Sequence, residues 1–168
     1  PDLCHYRVNF YKTFNGTAAA FREIPASIPS LEELGVNPDL KKLSMLDSGL
    51  VLVTGPTGSG KSTVTAALIN YANQRRKDHI LTIEDPIEFI YQDKSCFVSQ
   101  REVGTHSQSF ADALRVALRE DPDIIVVGEM RDYETVSLAI EAAETGHLVF
   151  ATLHTRSAAQ TVDRIIDI

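Results

Sequence analysis

The sequence predicts an α/β fold in which helices cover a mostly parallel β-sheet. Two observations lead to this fold class. Apolar runs of strand length alternate with amphipathic segments of helix length from residue 49 onward, as in consecutive βαβ units. A glycine-rich motif at residues 55–62 joins the first apolar run to the first helical pattern, which is where phosphate-binding loops lie. The preceding residues follow a different pattern and are expected to belong to a smaller domain.

Residues 1–29 have the alternation of a β-hairpin. Apolar and polar side chains alternate around residues 6–10 and again around residues 18–24, with Asn15-Gly16 between the two runs. An Asn-Gly pair between alternating runs is a strong hairpin signal. This segment is therefore predicted to be the last part of a small β-containing domain.

Pro25, Pro29 and Pro38, with Gly35 between the last two, indicate a linker over residues 30–48 with a short helix at Leu31–Leu34. The core is predicted to occupy residues 49–168. Its last amphipathic pattern has no Gly, Asn or Pro stop signal. We therefore expect the chain to be a piece of a longer one, with the core truncated at its carboxy-terminal end.

Four apolar runs in the core predict strands that are buried on both faces, as in a parallel sheet. They are Gly49–Thr54, His79–Glu84, Asp123–Gly128 and Leu148–Leu153. Three helices are predicted between them. They run from Lys61 to Lys77 with a basic last turn, from Ser109 with Asp112 in a capping box, and from Tyr133 to Thr145 between Asp132 and Gly146.

The glycine-rich motif matches the pattern G-x-x-x-x-G-K-[ST] in full and lies between a predicted strand and a predicted helix. Backbone N–H groups of such a loop face phosphate at a helix N-terminus that carries partial positive charge. Lys61 is expected to reach the β- and γ-phosphate oxygens, and the Ser62 hydroxyl is expected to bind Mg²⁺. The predicted nucleotide-binding residues are Thr57, Gly58, Ser59, Gly60, Lys61, Ser62 and Thr63.

Carboxylates follow two of the predicted strands. Glu129 comes after the strand that ends at Gly128, where P-loop proteins hold Mg²⁺ or its water, although it could also be a solvent-facing residue. Glu84, Asp85 and Glu88 fall within five residues and repel one another unless a cation or solvent relieves their charge. Beside a bound Mg²⁺–triphosphate they could polarise an attacking water; the alternative is an ordinary acidic turn.

Two histidines bracket the last predicted strand. His147 and His154 are seven residues apart, so on a regular strand they face opposite sides and a shared metal site is not expected. His154 lies at the same strand end as the other candidate residues and could contact the γ-phosphate. The alternative is a structural histidine.

Composition limits the classes of function. The 168 residues are 43% hydrophobic and 23% charged, and 16 basic against 23 acidic side chains give a net charge of −7. These values predict a soluble globular protein, and no apolar run approaches the roughly 20 residues that span a bilayer. The acidic balance disfavours direct nucleic-acid binding. Cys4 and Cys96 have no disulfide-framework or metal-site spacing, which favours a reducing cytoplasm.

The ordered motifs resemble the type II/IV secretion ATPase superfamily over nearly the whole chain. They lie at residues 55–63, 82–88, 119–123, 127–132 and 144–155, and their Gly-Glu-Met-Arg-Asp and Ala-Glu-Thr-Gly-His forms are most similar to the PilT-like retraction ATPases of type IV pili. The resemblance implies a RecA-like P-loop core preceded by the tail of a small α+β PAS-like domain. One departure is Asn15, where the family usually has a basic residue.

The resemblance also implies roles for single residues. Lys61 and Ser62 match the Walker A pair, and His147 and His154 match the family's histidine box. Glu129 matches an atypical Walker B glutamate that supports Mg²⁺. The implied catalytic residues are Glu88, which would activate water, Glu129, His154, and Arg7 and Arg22, which would reach the nucleotide when the domains close.

The implied activity is Mg²⁺-dependent ATP hydrolysis that drives a homo-hexameric motor for pilus retraction and twitching motility. The expected partners are the membrane-platform proteins of a bacterial pilus machine, with no membrane insertion and no nucleic acid. The expected location is the cytoplasm, peripheral to the inner membrane. A pilus-assembly or secretion ATPase, a P-loop kinase of small molecules and a non-hydrolysing nucleotide-dependent module are the alternatives.

Overall fold

The computed structural model describes residues 5–168, so Cys4 lies outside the described part of the chain. Its first feature is an antiparallel hairpin of β1 (His5–Thr13) and β2 (Gly16–Ile24). The predicted hairpin is confirmed, but its turn is shifted: Thr13 pairs with Gly16, so Phe14 and Asn15 form the turn. Gly16 has φ +120°, a conformation that favours glycine.

The segment between the hairpin and the core contains a different helix from the predicted one. Residues 31–35 form turns, so the predicted helix at Leu31–Leu34 is wrong. A 3-10 helix follows at Pro38–Met45. It begins there because the Asn37 side chain accepts a hydrogen bond from the Asp39 N–H at 2.9 Å, and because a proline at the first helical position needs no N–H partner.

The core is a five-stranded parallel sheet in the order β3-β7-β6-β4-β5. Its strands are β3 (Gly49–Thr54), β4 (His79–Glu84), β5 (Phe97–Glu102), β6 (Ile124–Val127) and β7 (Leu148–Leu153). The bounds of β3, β4 and β7 are those predicted, whereas β6 is one residue shorter at each end than predicted. β5 was not predicted, because an edge strand that is only partly buried has no continuous apolar run.

Four α-helices connect or follow these strands within the described residues. They are α1 (Lys61–Asn73), α2 (Phe110–Ala117), α3 (Tyr133–Glu144) and α4 (Ala158–Asp167). The caps at Ser109 and Asp132 are confirmed, since their side chains accept from the N–H groups three residues ahead at 3.0 and 2.9 Å. None of the helices that the structure describes is long and apolar enough to cross a lipid bilayer.

The predicted end of the first helix is wrong, because α1 stops before the basic residues 75–77. The Arg76 side chain instead pairs with Asp78 and donates to the carbonyls of Ser44 and Leu46. This arginine therefore joins the core to the segment that holds the 3-10 helix. Helix α3 likewise ends one residue earlier than predicted, with Thr145 as its C-cap.

Helices cover both faces of the sheet. Along β6, Ile125 and Val127 face α2 and α3, whereas Ile124 and Val126 face α1. Leu31 packs into the α1 side and is 3% exposed, which holds the linker against the core. The predicted α/β class with a sheet buried on both faces is confirmed.

Candidate functional site

The carboxyl ends of four strands meet at one edge of the sheet. The glycine-rich loop follows β3, the acidic loop follows β4, Glu129 follows β6 and His154 follows β7. Together with the hairpin they surround a cavity of about 630 Å³, a size typical of small-molecule sites. Ligands of open parallel sheets bind at such an edge, so this cavity is the candidate site.

The loop at residues 55–60 owes its shape to its glycines. Gly58 and Gly60 have φ +78° and +91°, and a Cβ on Gly55 would lie 2.6 Å from the Ser59 Oγ. Gly60 is the N-cap of α1 and offers no side chain to the first N–H groups of that helix. These groups and the positive end of the α1 dipole therefore remain for an anion in the cavity.

The Lys61 ammonium lies across the loop. Its Nζ donates to the carbonyl oxygens of Gly55 and Pro56 at 2.9 and 3.1 Å. It also lies 3.4 Å from the His154 Nδ1. Because an ammonium only donates, this Nδ1 accepts and the hydrogen of a neutral His154 ring is on Nε2.

Glu129 has partners on both of its oxygens. Its Oε1 lies 3.0 Å from the His154 Nε2, and its Oε2 accepts from the Arg131 guanidinium at 2.6 Å. The hydrogen bond from Arg131 is the main reason why the pKa of Glu129 is below its usual value, and the charges of Arg131, His154 and Lys61 add to the effect. Its side chain is only 19% exposed, so Glu129 is not a simple solvent-facing residue.

The three carboxylates after β4 all line the cavity, but they have different partners. Glu84 turns inward and accepts from the Thr82 hydroxyl at 2.7 Å and the Gln100 amide at 3.1 Å. Burial raises the pKa of Glu84 despite these hydrogen bonds. Asp85 is exposed, and Glu88 faces the hairpin, where its Oε1 lies 3.5 Å from a guanidinium nitrogen of Arg22. The run is therefore more than an ordinary acidic turn.

Arg7 and Arg22 are direct cross-strand neighbours in the hairpin, and both line the cavity. Like charges directly opposite one another on adjacent strands are destabilising. Glu88 offsets part of this repulsion, and the exposed Arg22 side chain, 69% accessible, keeps hydrogen-bonding capacity for a further anion. The hairpin thus presents two cations to the same space as the glycine-rich loop.

The chain was compared with known proteins. The family model described as type II/IV secretion system protein matches residues 2–168. The chain belongs to this family. It is 57% identical over 168 residues to the type IV pilus retraction ATPase PilT of Pseudomonas aeruginosa and 59% identical to a twitching motility protein of Neisseria gonorrhoeae. The whole chain is matched, but it spans 49% and 45% of these relatives, about half their length.

A solved structure agrees with the family and the fold. The crystal structure of the pilus retraction motor PilT with bound ADP has a TM-score of 0.94 and 56% identity, over 97% of this chain and 48% of that one. The resemblance found in the motifs and the predicted α/β class are therefore confirmed. The division at residues 29 and 48 and the PAS-like character of the first segment stay predictions.

Two residues at the site, Arg131 and Thr65, were not predicted from the sequence. Arg131 lies within the quoted Gly-Glu-Met-Arg-Asp run, but its hydrogen bond to Glu129 depends on the turn after β6. Thr65 on α1 lines the cavity with a buried hydroxyl that has no hydrogen-bond partner among the described residues. Nothing in the sequence marks this threonine. His147 is at the other end of β7, where its Nδ1 lies 2.9 Å from the Ala142 carbonyl oxygen.

The oxygen ligands in the cavity suit a magnesium ion that also binds phosphate oxygens of a nucleotide. The Ser62 hydroxyl and the Glu129 carboxylate both line the cavity, and both offer the hard oxygen ligands that Mg²⁺ prefers. The lowered pKa keeps Glu129 ionised at neutral pH. Mg²⁺ takes few protein ligands when phosphates complete its shell, so two side chains are enough.

Proposed function

We propose that the protein is an ATP-hydrolysing motor subunit that drives retraction of a type IV pilus. The carrying observation is that the phosphate-binding loop, carboxylates that include Glu88 and Glu129, and two arginines from the hairpin line one cavity. The PilT protein, a type IV pilus retraction ATPase, and the PilT structure with bound ADP support both the nucleotide and the motor. Because the chain spans about half of these relatives, the activity is assigned to the full-length protein.

The glycine-rich loop binds the nucleotide phosphates. The N–H groups of Thr57, Gly58, Ser59, Gly60, Lys61, Ser62 and Thr63 surround the phosphate oxygens. The Lys61 ammonium exchanges the carbonyls of Gly55 and Pro56 for the β- and γ-phosphates. The ammonium is therefore hydrogen-bonded both without and with nucleotide. Because it is already partly removed from water in the free protein, phosphate binding adds little to its desolvation cost.

Ser62 and Glu129 hold Mg²⁺ in the proposed complex. The ion would neutralise phosphate charge and orient the γ-phosphate when bound. For this role the Glu129 carboxylate must exchange a contact with Arg131 or His154 for the ion. His154 lies between Glu129 and Lys61, and there it can contact an oxygen of the γ-phosphate.

Glu88 activates the attacking water in this proposal, and Arg7 and Arg22 stabilise the charge that develops on the γ-phosphate. Arginines in this role contribute about 10³–10⁵-fold to phosphoryl transfer in other P-loop enzymes. Here both come from the hairpin, whereas the phosphates are held by the core. Movement of the hairpin toward the core therefore couples domain closure to hydrolysis, and unequal affinity of open and closed states for ATP and ADP supplies the stroke.

The full-length protein is proposed to act as a homo-hexamer that reaches the inner membrane through platform proteins of a bacterial pilus machine. It would work in the cytoplasm, with no nucleic acid and no membrane insertion of its own. A pilus-assembly or secretion ATPase of the same superfamily is the second candidate, since the P-loop and Glu129 would serve either direction of the motor equally.

Phosphate release by the full-length protein tests the proposal. We expect ATP to be hydrolysed with Mg²⁺ and no added acceptor, and Lys61→Ala to abolish this. Lys77→Ala is the matched control, because Lys77 is exposed and lies beyond α1. Strict dependence on a small-molecule acceptor would indicate a kinase instead. Binding of ATP without hydrolysis would indicate an interaction module, and pilus extension rather than retraction in cells would favour the assembly motor.

A further inference from the structure

The segment that carries Glu88 has no regular secondary structure to hold it. Residues 85–96 connect β4 to β5 without forming a helix or strand. Inside this segment Phe89 and Cys96 are buried at 7% and 3% exposure and Tyr91 packs against the core, so these side chains anchor the loop. Its backbone polar groups must find partners elsewhere, because buried groups without partners are costly.

Gln100 on β5 supplies two of those partners, at Phe89 and Tyr91, and the Asn73 side chain of α1 supplies two others at Gln92 and Lys94. Its Oε1 accepts from the Tyr91 N–H at 2.9 Å, and its Nε2 donates to the Phe89 carbonyl at 2.9 Å. The same Nε2 donates to the Glu84 Oε1 at 3.1 Å. One amide therefore joins β5 to the loop at two points and to the end of β4 at a third.

Two carboxylates complete the attachment on the amino-terminal side of Phe89. Glu84 Oε2 lies 3.4 Å from the Glu88 N–H, and Glu102 Oε2 accepts from the Ile87 N–H at 3.0 Å. Gln100 also donates to the carboxylate of Glu84, so this amide and the Glu84 contact to the Glu88 N–H belong to one connected network. Glu88 is thus flanked by three loop residues whose backbone is fixed by side chains of β4 and β5.

We propose that Gln100 is a positioning residue that sets the place of the Glu88 carboxylate relative to the bound nucleotide. The proposal rests on the function proposed above for Glu88. Gln100 itself is not among the described residues that line the cavity, so it acts only through the loop. Its direct cross-strand partner is Thr82, whose hydroxyl also donates to Glu84. Gln100 therefore influences the cavity through the lining residues that it binds, Glu84, Phe89 and Tyr91.

An amide is required at this position for a chemical reason. The group must donate to a carbonyl and a carboxylate and at the same time accept from an N–H, which only an amide side chain of this length does. Glutamate has the same shape but brings a second carboxylate beside Glu84 and cannot donate when ionised. Gln100→Glu and Gln100→Ala therefore remove the attachment in two different ways.

Steady-state kinetics of the full-length protein test the proposal. We expect Gln100→Ala and Gln100→Glu each to lower kcat by about 10²-fold, the effect of displacing a catalytic group by about 1 Å, with ADP affinity unchanged within about twofold. Gln92→Ala is the matched control, because Gln92 is exposed in the same loop and donates nothing to Glu88. Unchanged kcat in both Gln100 variants, or a raised KM with unchanged kcat, would overturn the proposal.

Amide hydrogen exchange separates this inference from the proposed function. In folded Gln100→Ala we expect faster exchange at the Glu88 and Tyr91 N–H groups and unchanged exchange in α1. If the unmodified protein hydrolyses no ATP, the proposed function fails, while faster exchange still supports the attachment of the loop. Unchanged exchange at both groups would overturn the positioning role even in an active enzyme.

Discussion

Replacement of Arg22 by alanine distinguishes a ground-state ion pair from stabilisation of a transition state. The Arg22 guanidinium lies 3.5 Å from the Glu88 carboxylate, with the two side chains 69% and 32% exposed. An exposed pair contributes about 0.2–1 kcal/mol, which changes a rate by about 1.4- to 5-fold. An arginine that stabilises the transferring phosphoryl group contributes about 10³–10⁵-fold. The two roles therefore predict effects that differ by more than two orders of magnitude.

We expect Arg22→Ala to lower kcat for ATP hydrolysis by about 10³-fold or more, with a change in ADP affinity of less than about fivefold. Phosphate release and isothermal titration of ADP measure the two quantities in the full-length protein. Lys12→Ala is the control, since Lys12 is a cation of the same hairpin that pairs with Thr17. Arg22→Lys is expected to remain impaired, because an ammonium lacks the guanidinium fork. A fall in kcat of only fivefold or less would refute the transition-state role.

Three further predictions concern stability and charge. In Gly128→Ala the new Cβ would lie 3.1 Å from the Ile83 carbonyl oxygen, so overpacking should cost about 1–3 kcal/mol and lower Tm by about 2–12 °C; an unchanged Tm would contradict the contact. Thr65→Val should raise the free energy of unfolding in urea without nucleotide, by up to about 1–3 kcal/mol, because it removes an unpartnered buried hydroxyl; a loss of stability would show that the hydroxyl is satisfied. The folded pKa of Glu129 is lowered, so its contribution to stability is present above pH 4.5 and is lost as pH falls through that folded pKa. Arg131→Met removes the main cause, so an NMR titration of Glu129 should show a raised pKa, and an unchanged midpoint would refute the assigned cause.

The glycine-rich loop and the strands around it could be predicted because their signals are local. Residues 49–54 form one apolar run, and the positive φ angles of Gly58 and Gly60 suit the only residue type that adopts them at no cost. The caps at Ser109 and Asp132 depend on contacts three residues ahead, which a sequence displays directly. The side of the cavity formed by β3 and the glycine-rich loop could therefore be predicted.

The side of the cavity that carries Glu84 and Glu88 depends on the pairing of β4 with β5, which no sequence pattern indicates. Strand β5 is polar at Ser99, Gln100 and Arg101 and pairs only through β4, so no apolar run marks it. The partners of Glu84 and Glu88 belong to this strand and to the hairpin. The sequence could therefore identify the carboxylates, but not which of them turns inward and which faces the arginines.

The position of the hairpin turn decides whether Arg7 and Arg22 lie directly opposite one another. A turn at Asn15-Gly16, as the motif predicts, would place Arg7 opposite Ile24. The turn lies instead at Phe14-Asn15, and a shift of one residue in the turn moves every cross-strand partner by two, which brings Arg22 opposite Arg7. Paired residues point to the same face of a sheet. In the alternative register Arg22 would lie opposite Asn9, which shares a face with Arg7, so the two arginines would still point to one side but only as diagonal neighbours. The observed register of this exposed hairpin is thus what makes them direct neighbours, with Arg22 beside Glu88.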